Sequence, residues 1–182
     1  MFESRTLGKG NRTAVVPGHS CPETGLVLGL SRPIVVVGVG DLGRGDDGVG
    51  PMIVQLLNEA GFQEAVDSGT SPELDTWKIR ELTPRTVLFV DAVDFGGSPG
   101  QAAMLKPADL RPEGFDTHRA PLRLTMEYLE REIGCACFLL AIQPTDVRPG
   151  SPMSDEVRES AILLSQILSE EALSPIGGSE RS

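Results

Sequence analysis

Residues 35–51 read VVVGVGDLGRGDDGVGP, and the fold turns on what this stretch is. The apolar run that begins at Pro33, PIVVVGVG, lacks polar alternation, which is the pattern of a strand buried on both faces. PMIVQLLNEAG follows with helical spacing, Pro51 near the first turn and Gly61 past the end. Strand, glycine loop and helix in this order open an α/β unit. Gly38, Gly40 and Gly43 also spell G-x-G-x-x-G, the dinucleotide fingerprint, and Asp67 ends the next strand where a ribose-binding acid would stand.

Two physical points oppose a dinucleotide. The third glycine of such a site lies in the opening turn of the helix, whose free N–H groups face the pyrophosphate, whereas this helix starts near Pro51. Asp41, Asp46 and Asp47 intervene. Each carboxylate close to a phosphate would repel it by roughly 4 kcal/mol before screening at a partly buried effective dielectric. Carboxylate oxygens on a glycine loop suit a divalent cation instead, with Asp47 the best placed, or they shape a turn and favour the helix N-terminus.

Working outward, the chain alternates short apolar runs with amphipathic segments. EAVDSG (64–69) reads as a weaker strand, and SPELDTWKIRELTP as a helix with Ser71 as N-cap, Pro72 at the first position and Leu74, Trp77, Ile79 and Leu82 as its apolar stripe. RTVLFVDAVDFGGSPG holds a central strand from Thr86 to about Val90, ending in acids, with Asp94 as turn former. GQAAMLKP is a short strand, APLRLTMEYLEREIG a helix, CACFLLAIQP the last buried strand, and SDEVRESAILLSQILSEEAL a closing helix capped by Ser154.

Residues 1–31 carry scattered Gly, Pro and polar residues without periodicity and read as an extension, flexible in the simplest case. Residues 32–174 form one three-layer α/β domain, and 175–182 a loose tail. The 182-residue length suits one domain with a sizeable core.

The net charge of −10 opposes a nucleic-acid partner, because phosphate backbones require a basic patch. No apolar run approaches a membrane span of ~20 residues. The N-terminus lacks the basic-then-apolar pattern of a signal peptide, so a cytoplasmic address is expected. Of the three cysteines, Cys135 and Cys137 alternate onto one strand face as buried thiols, and neither they nor Cys21 show zinc spacing or receive a catalytic role.

Ligands of α/β sheets bind beyond the C-terminal ends of the strands. Three features fall there: the Asp-rich loop, VDAVD, and THRAPL before a helix. Asp91, where the apolar run TVLFV emerges, is either hydrogen-bonded to loop N–H groups or functional. His118 is either an exposed loop residue or a ligand, and His19, in the extension, has no supporting context. Two carboxylates and one imidazole, if they converge, make a partial coordination sphere with open positions.

From about Ile34 to Leu168 the chain resembles the hydrogenase maturation proteases, and among them those serving hydrogenase 3 type complexes. The matching segments, in the family's order, are GVGDLGRGDDGVGP, DSGTSPELDTWKIRELTP, LFVDAVDFGGSPG, THRAPL and FLLAIQP. The resemblance implies a three-layer α/β/α domain around a twisted five-stranded, mixed, mostly parallel sheet, with GQAAMLKP as the antiparallel strand. It implies an endopeptidase, aspartic-type by family convention, that removes the C-terminal extension of a nickel-iron hydrogenase large-subunit precursor after nickel insertion. Its metal-contacting and catalytic residues carry over onto Asp47, Asp91 and His118. The nickel is supplied by the precursor, and no permanently bound cofactor is implied.

Cleavage then proceeds either by metal polarisation of the carbonyl and activation of water, or with a carboxylate such as Asp46 or Asp47 as general base. This chain departs from the family in having Asp41 for the usual Asn, Arg44 in a segment that is often aliphatic or Met, Arg119 for a common Asn, and its extension. The extra charges would retune which precursor is accepted or form an ion pair across the site. The competing readings are a non-catalytic nickel-dependent checkpoint or chaperone for the same precursor and, behind it, a Rossmann-like dinucleotide-binding protein.

Overall fold

The computed structural model describes residues 13–15, 30–110 and 120–173. Strands β1 (Thr13–Val15), β2 (Ile34–Gly38), β3 (Ala65–Asp67), β4 (Thr86–Ala92), β5 (Ala102–Leu105) and β6 (Ala136–Ile142) form one sheet in the order β1-β5-β6-β4-β2-β3. Strands β3, β2, β4 and β6 are mutually parallel, and β5 runs antiparallel to β6. The domain is therefore built on the expected mixed, mostly parallel five-stranded sheet, with GQAAMLKP supplying the antiparallel member. To these five the extension adds a sixth, three-residue strand: Thr13, Ala14 and Val15 pair with Met104, Ala103 and Ala102 of β5.

Four helices cover the sheet: α1 (Val49–Glu59), α2 (Thr76–Glu81), α3 (Ala120–Ile133) and α4 (Asp155–Leu173). The even residues of β2 and β4, Ile34, Val36, Leu88 and Val90, pack with Ile53 and Leu57 of α1 and Val157 and Leu164 of α4. The odd ones, Val35, Val37, Val87 and Phe89, pack with Ile79 of α2 and Leu122, Met126 and Leu129 of α3. Both faces of the central strands are thus covered, which is why their sequences run apolar without alternation. Each such side chain, fully buried, contributes roughly 1.5–3 kcal/mol. Cys135 and Cys137 lie in the second cluster with sulfurs 3.8 Å apart, the buried thiols expected. The neighbouring Cys135 sulfur and burial push the Cys137 thiol up, away from the reactive thiolate. Cys21 and His19 lie outside the described residues.

Helix ends follow local chemistry. Gly61, at φ 92°, closes α1, where the Gly61 and Phe62 N–H groups donate to the carbonyls of Asn58 and Leu57. The apolar stripe expected on the second helix is corrected: Ile79 is buried, but Leu74 and Trp77 are 70% and 55% exposed. Residues Pro72–Asp75 form a 3-10 turn and α2 is short, so Leu74 is off the helical register. Trp77 lies two residues from Ile79, about 200° around the helix, and cannot share its face. Contacts of the domain already begin at Leu30, which packs against the α1/α4 cluster and whose N–H donates to the Glu171 carboxylate, while the Ser31 carbonyl accepts from the Thr86 hydroxyl. The tail from residue 174 on lies outside the described residues.

Candidate active site

Strand β2 pairs with β3 on one side and β4 on the other. The connection through α1 crosses one face of the sheet and that through α2 the opposite face. β2 leads outward to β3 whereas β4 leads the other way towards β5 and β6, so the C-terminal ends of β2 and β4 are the switch point where ligands of such sheets bind. The Asp41–Asp47 loop follows β2 and Asp91 is the last residue but one of β4, so the two sequence-predicted acids stand at this switch point on neighbouring strands.

The loop is held down by glycines that admit backbone where a side chain would clash. A Cβ on Gly38 would lie 2.5 Å from the Gly50 carbonyl oxygen, and one on Gly50 would lie 2.4 Å from that of Val39 and 2.5 Å from that of Val90. Helix α1 therefore begins directly over the backbone of β2 and β4. At Gly40, with φ 130°, a Cβ would fall 1.8 Å from the Asp47 carbonyl oxygen. The glycines of the apparent dinucleotide fingerprint bring α1 and the loop onto the sheet and onto each other.

The two acids of GDDG differ in what surrounds them. Asp46 is wholly buried in a ring of donors. One of its carboxylate oxygens accepts from the Thr145 and Asp146 N–H groups at 2.7 and 3.0 Å, the other from the Ser154 N–H and hydroxyl at 2.6 and 2.9 Å. A carboxylate offers about four lone-pair sites, and all are taken. Burial alone would raise this carboxyl, but the N–H donors of Asp146, Ser154 and Thr145 and the Ser154 hydroxyl outweigh it and hold the group below its ordinary value. The Asp46 N–H returns the tie to the Asp146 carbonyl at 2.9 Å. Asp146 is itself held well below the usual carboxylate range by the Arg148 guanidinium, with the Arg148 N–H and the Ser151 hydroxyl adding to it. Ser154 occupies the N-cap position of α4, its carbonyl accepting from the Arg158 N–H, but its hydroxyl serves Asp46.

Asp47 is half-buried. Among the described residues its carboxylate has one hydrogen bond, from the Asp41 N–H to Oδ2 at 2.9 Å, and Oδ1 has no hydrogen-bond partner there. The Asp41 carboxylate closes a turn by accepting from the Gly43 N–H at 2.8 Å. An Asn carbonyl would accept the same bond, so the substitution of Asp for Asn leaves the turn standing. Arg44 is exposed and, among the described residues, forms no ion pair; Arg119 lies outside them.

Asp91 is 9% exposed, in register with Ala141 of β6 and on the same face of β4 as Phe89, the face that α3 covers. His118 lies outside the described residues, and among those described no group of three or more His, Cys, Asp or Glu is placed to hold a metal ion. The turn after β4 forms at Asp94, as expected, its carboxylate accepting from the Gly96 N–H. The sequence reading assigned no role to Gln143, which anchors this turn: its side-chain oxygen accepts from the Phe95 and Gly97 N–H groups, both at 3.0 Å, and its amide donates to Asp94. An isolated Gln after an apolar strand, as in LLAIQP, was the signal that could have found it. The Asp46 tie left no comparable trace, because its partners stand about a hundred positions away.

Comparison with known proteins points one way. The family model described as HycI, hydrogenase maturation protease, matches residues 51–171. The hydrogenase 3 maturation protease of Escherichia coli K12 is 37% identical over 130 residues, covering 69% of this chain and 82% of that protein. The crystal structure of the nickel-iron hydrogenase maturation protease HycI from Thermococcus kodakarensis superposes with a TM-score of 0.71 at 30% identity, covering 76% of this chain and 91% of that one. The solution structure of the endopeptidase HycI from Escherichia coli gives 0.68 at 33% identity, covering 75% and 88%. Sequence and architecture agree over one continuous domain, and the chain belongs to the hydrogenase maturation protease family.

Proposed function

We propose that this protein is the endopeptidase that removes the C-terminal extension from a nickel-iron hydrogenase large-subunit precursor once nickel is in place. It would recognise the substrate-held nickel through Asp47, Asp91 and His118. The observation that carries this reading is the division of labour in GDDG: Asp46 is consumed by four donors, while Asp47 keeps an open oxygen in the loop at the β2/β4 switch point. Two carboxylates and an imidazole are a borderline-to-hard donor set that suits a nickel ion without completing its coordination. Nickel fixed in the precursor would supply the missing ligands, and nickel-free precursor would not be held.

Shared contact docks the precursor with its scissile bond beside the Asp41–Asp47 loop. Hydrolysis adds water to the carbonyl carbon, breaks the C–N bond and delivers the water's proton to the leaving amine. Of the two carboxylates that could accept that proton in passing, Asp46 has no open lone pair and Asp47 has one open oxygen, which the nickel contact shares; the alternative is that nickel polarises the carbonyl and activates the water. The acids of the Asp41–Asp47 loop also disfavour a phosphate ligand. The protein so read works without nucleic acid or membrane insertion, at a cytoplasmic address. Among the described residues no helix is long and apolar enough to cross a membrane.

Intact-mass spectrometry of the large-subunit precursor, with and without nickel, tests the proposal. Incubation with this protein is expected to release one C-terminal peptide from the nickel-loaded form alone, and Asp47→Asn to slow that release by about a hundred-fold or more. Stable complex formation without release would replace the peptidase by a nickel-dependent checkpoint.

A further inference from the structure

One groove begins at Leu42 of the Asp41–Asp47 loop. It has a volume of about 460 Å³ and lies between α1 and the end of β3. At its upper end Leu42, Pro51 and Val54 form an apolar lining. Leu42 belongs to the same loop as Asp47 and is 63% exposed. Further along α1 the lining turns polar at Gln55, Asn58 and Glu59, while Asp67, paired with Gly38 at the end of β2, lies back beside the loop.

The α1 residues recur at the i, i+3, i+4, i+7 and i+8 spacing of a single helix face, so the groove follows the helix axis. From Pro51 to Glu59 it spans about 12 Å, the length of about four residues of extended chain. Two carboxylates line it, Asp67 beside the loop and Glu59 at the far end of α1, and no Lys or Arg does. Glu59 accepts a hydrogen bond from Gln55, and Asp67 from the Gly69 N–H, which orients both acids without neutralising them.

Resting on the peptidase reading above, we propose that this groove binds the part of the precursor that is cut away. It takes an extended segment whose first side chain after the scissile bond is apolar and which carries a basic side chain within about four residues. The occupant follows from continuity and charge. The apolar end adjoins the loop that carries Asp47, and chain downstream of the scissile bond is the portion free to extend, since the upstream side is tethered to the nickel-bearing body. The two carboxylates, one at each end, attract a cationic side chain and reject an acidic one.

Two probes test this: the nickel-loaded precursor, followed by intact-mass kinetics, and a fluorescein-labelled synthetic peptide of its C-terminal extension, followed by anisotropy. Leu42→Ser and Glu59→Lys both alter exposed side chains. Each is expected to raise KM, by about ten-fold and about three-fold respectively, with kcat within about two-fold of wild type. A precursor with its extension's basic residues changed to Glu should restore the KM of Glu59→Lys while impairing wild type.

If wild type cleaves the precursor and neither variant changes KM, the groove is not the docking site and the peptidase reading stands. Peptide binding that depends on Leu42 and Glu59, with no cleavage by wild type, would leave the groove and remove the peptidase. Absence of both binding and cleavage would remove both.

Discussion

Replacing Asp46 by Asn leaves the side chain's shape intact but turns one of its two acceptor atoms into a donor. In either orientation of the amide, N–H groups from the Thr145–Asp146 pair or from Ser154 then face an NH2. A cost of about 3 kcal/mol is expected, read as a shift of the urea midpoint at unchanged slope. The same group makes a pH prediction. Its folded pKa lies below the ordinary, unfolded one, so its stabilising contribution is complete above the unfolded value and is lost as pH falls through the folded value. Hydrogen exchange at Thr145, Asp146 and Ser154 should therefore stay slow through the ordinary carboxylate range and quicken only below it, with that step missing from Asp46→Asn. At this scale the sequence was half legible. The adjacent acids of GDDG stood out as unusual, but telling the buried one from the open one required the loop after β6, which no local pattern connects to them. Asp94 was easier, because an Asp two residues before a Gly makes a turn with its own neighbours, a pattern that Asp41 repeats in the structure.

Helix α1 shows how one missing methyl group can set the position of an element. In an exposed helix Gly50→Ala would stabilise by about 1 kcal/mol. Here the added carbon meets the Val39 and Val90 carbonyl oxygens, backbone atoms that no rotamer change can move aside. The substitution is expected to destabilise by about 3 kcal/mol and to lift α1 off the strand ends, as thermal unfolding and amide chemical shifts around Val39 would show. At Gly61 a Cβ would meet nothing within 4 Å, so Gly61→Ala should cost only the left-handed backbone, about 1 kcal/mol. The ends of α1 were readable because Pro51 and Gly61 punctuate it chemically. The second helix departs from the expected stripe because Leu74 lies in the 3-10 turn before it and Trp77 and Ile79 lie about 200° apart around it, so Trp77 faces solvent.

For the whole molecule, alternating strand and helix patterns were enough to predict a three-layer α/β domain, the family resemblance added the mostly parallel sheet, and the rule for such sheets pointed to the strand ends where the Asp41–Asp47 loop and Asp91 stand. Strand β1 was not readable, since three residues amid Gly, Pro and polar neighbours carry no period. It covers the outer edge of β5, and an uncovered edge is a template for pairing with another chain. Removal of residues 1–29 is expected to lower Tm by about 3 °C and to make the protein elute earlier than its mass predicts in size-exclusion chromatography. The Asp46 tie bears on a different undertaking, the construction of chimaeras. A designer who grafts the Asp41–Gly48 loop from a relative to change precursor choice would leave the recipient's 145–154 loop with donors spaced for another chain's carboxylate. The two segments form one exchangeable unit despite their separation in sequence, and grafts that move them together should fold where grafts of either alone do not.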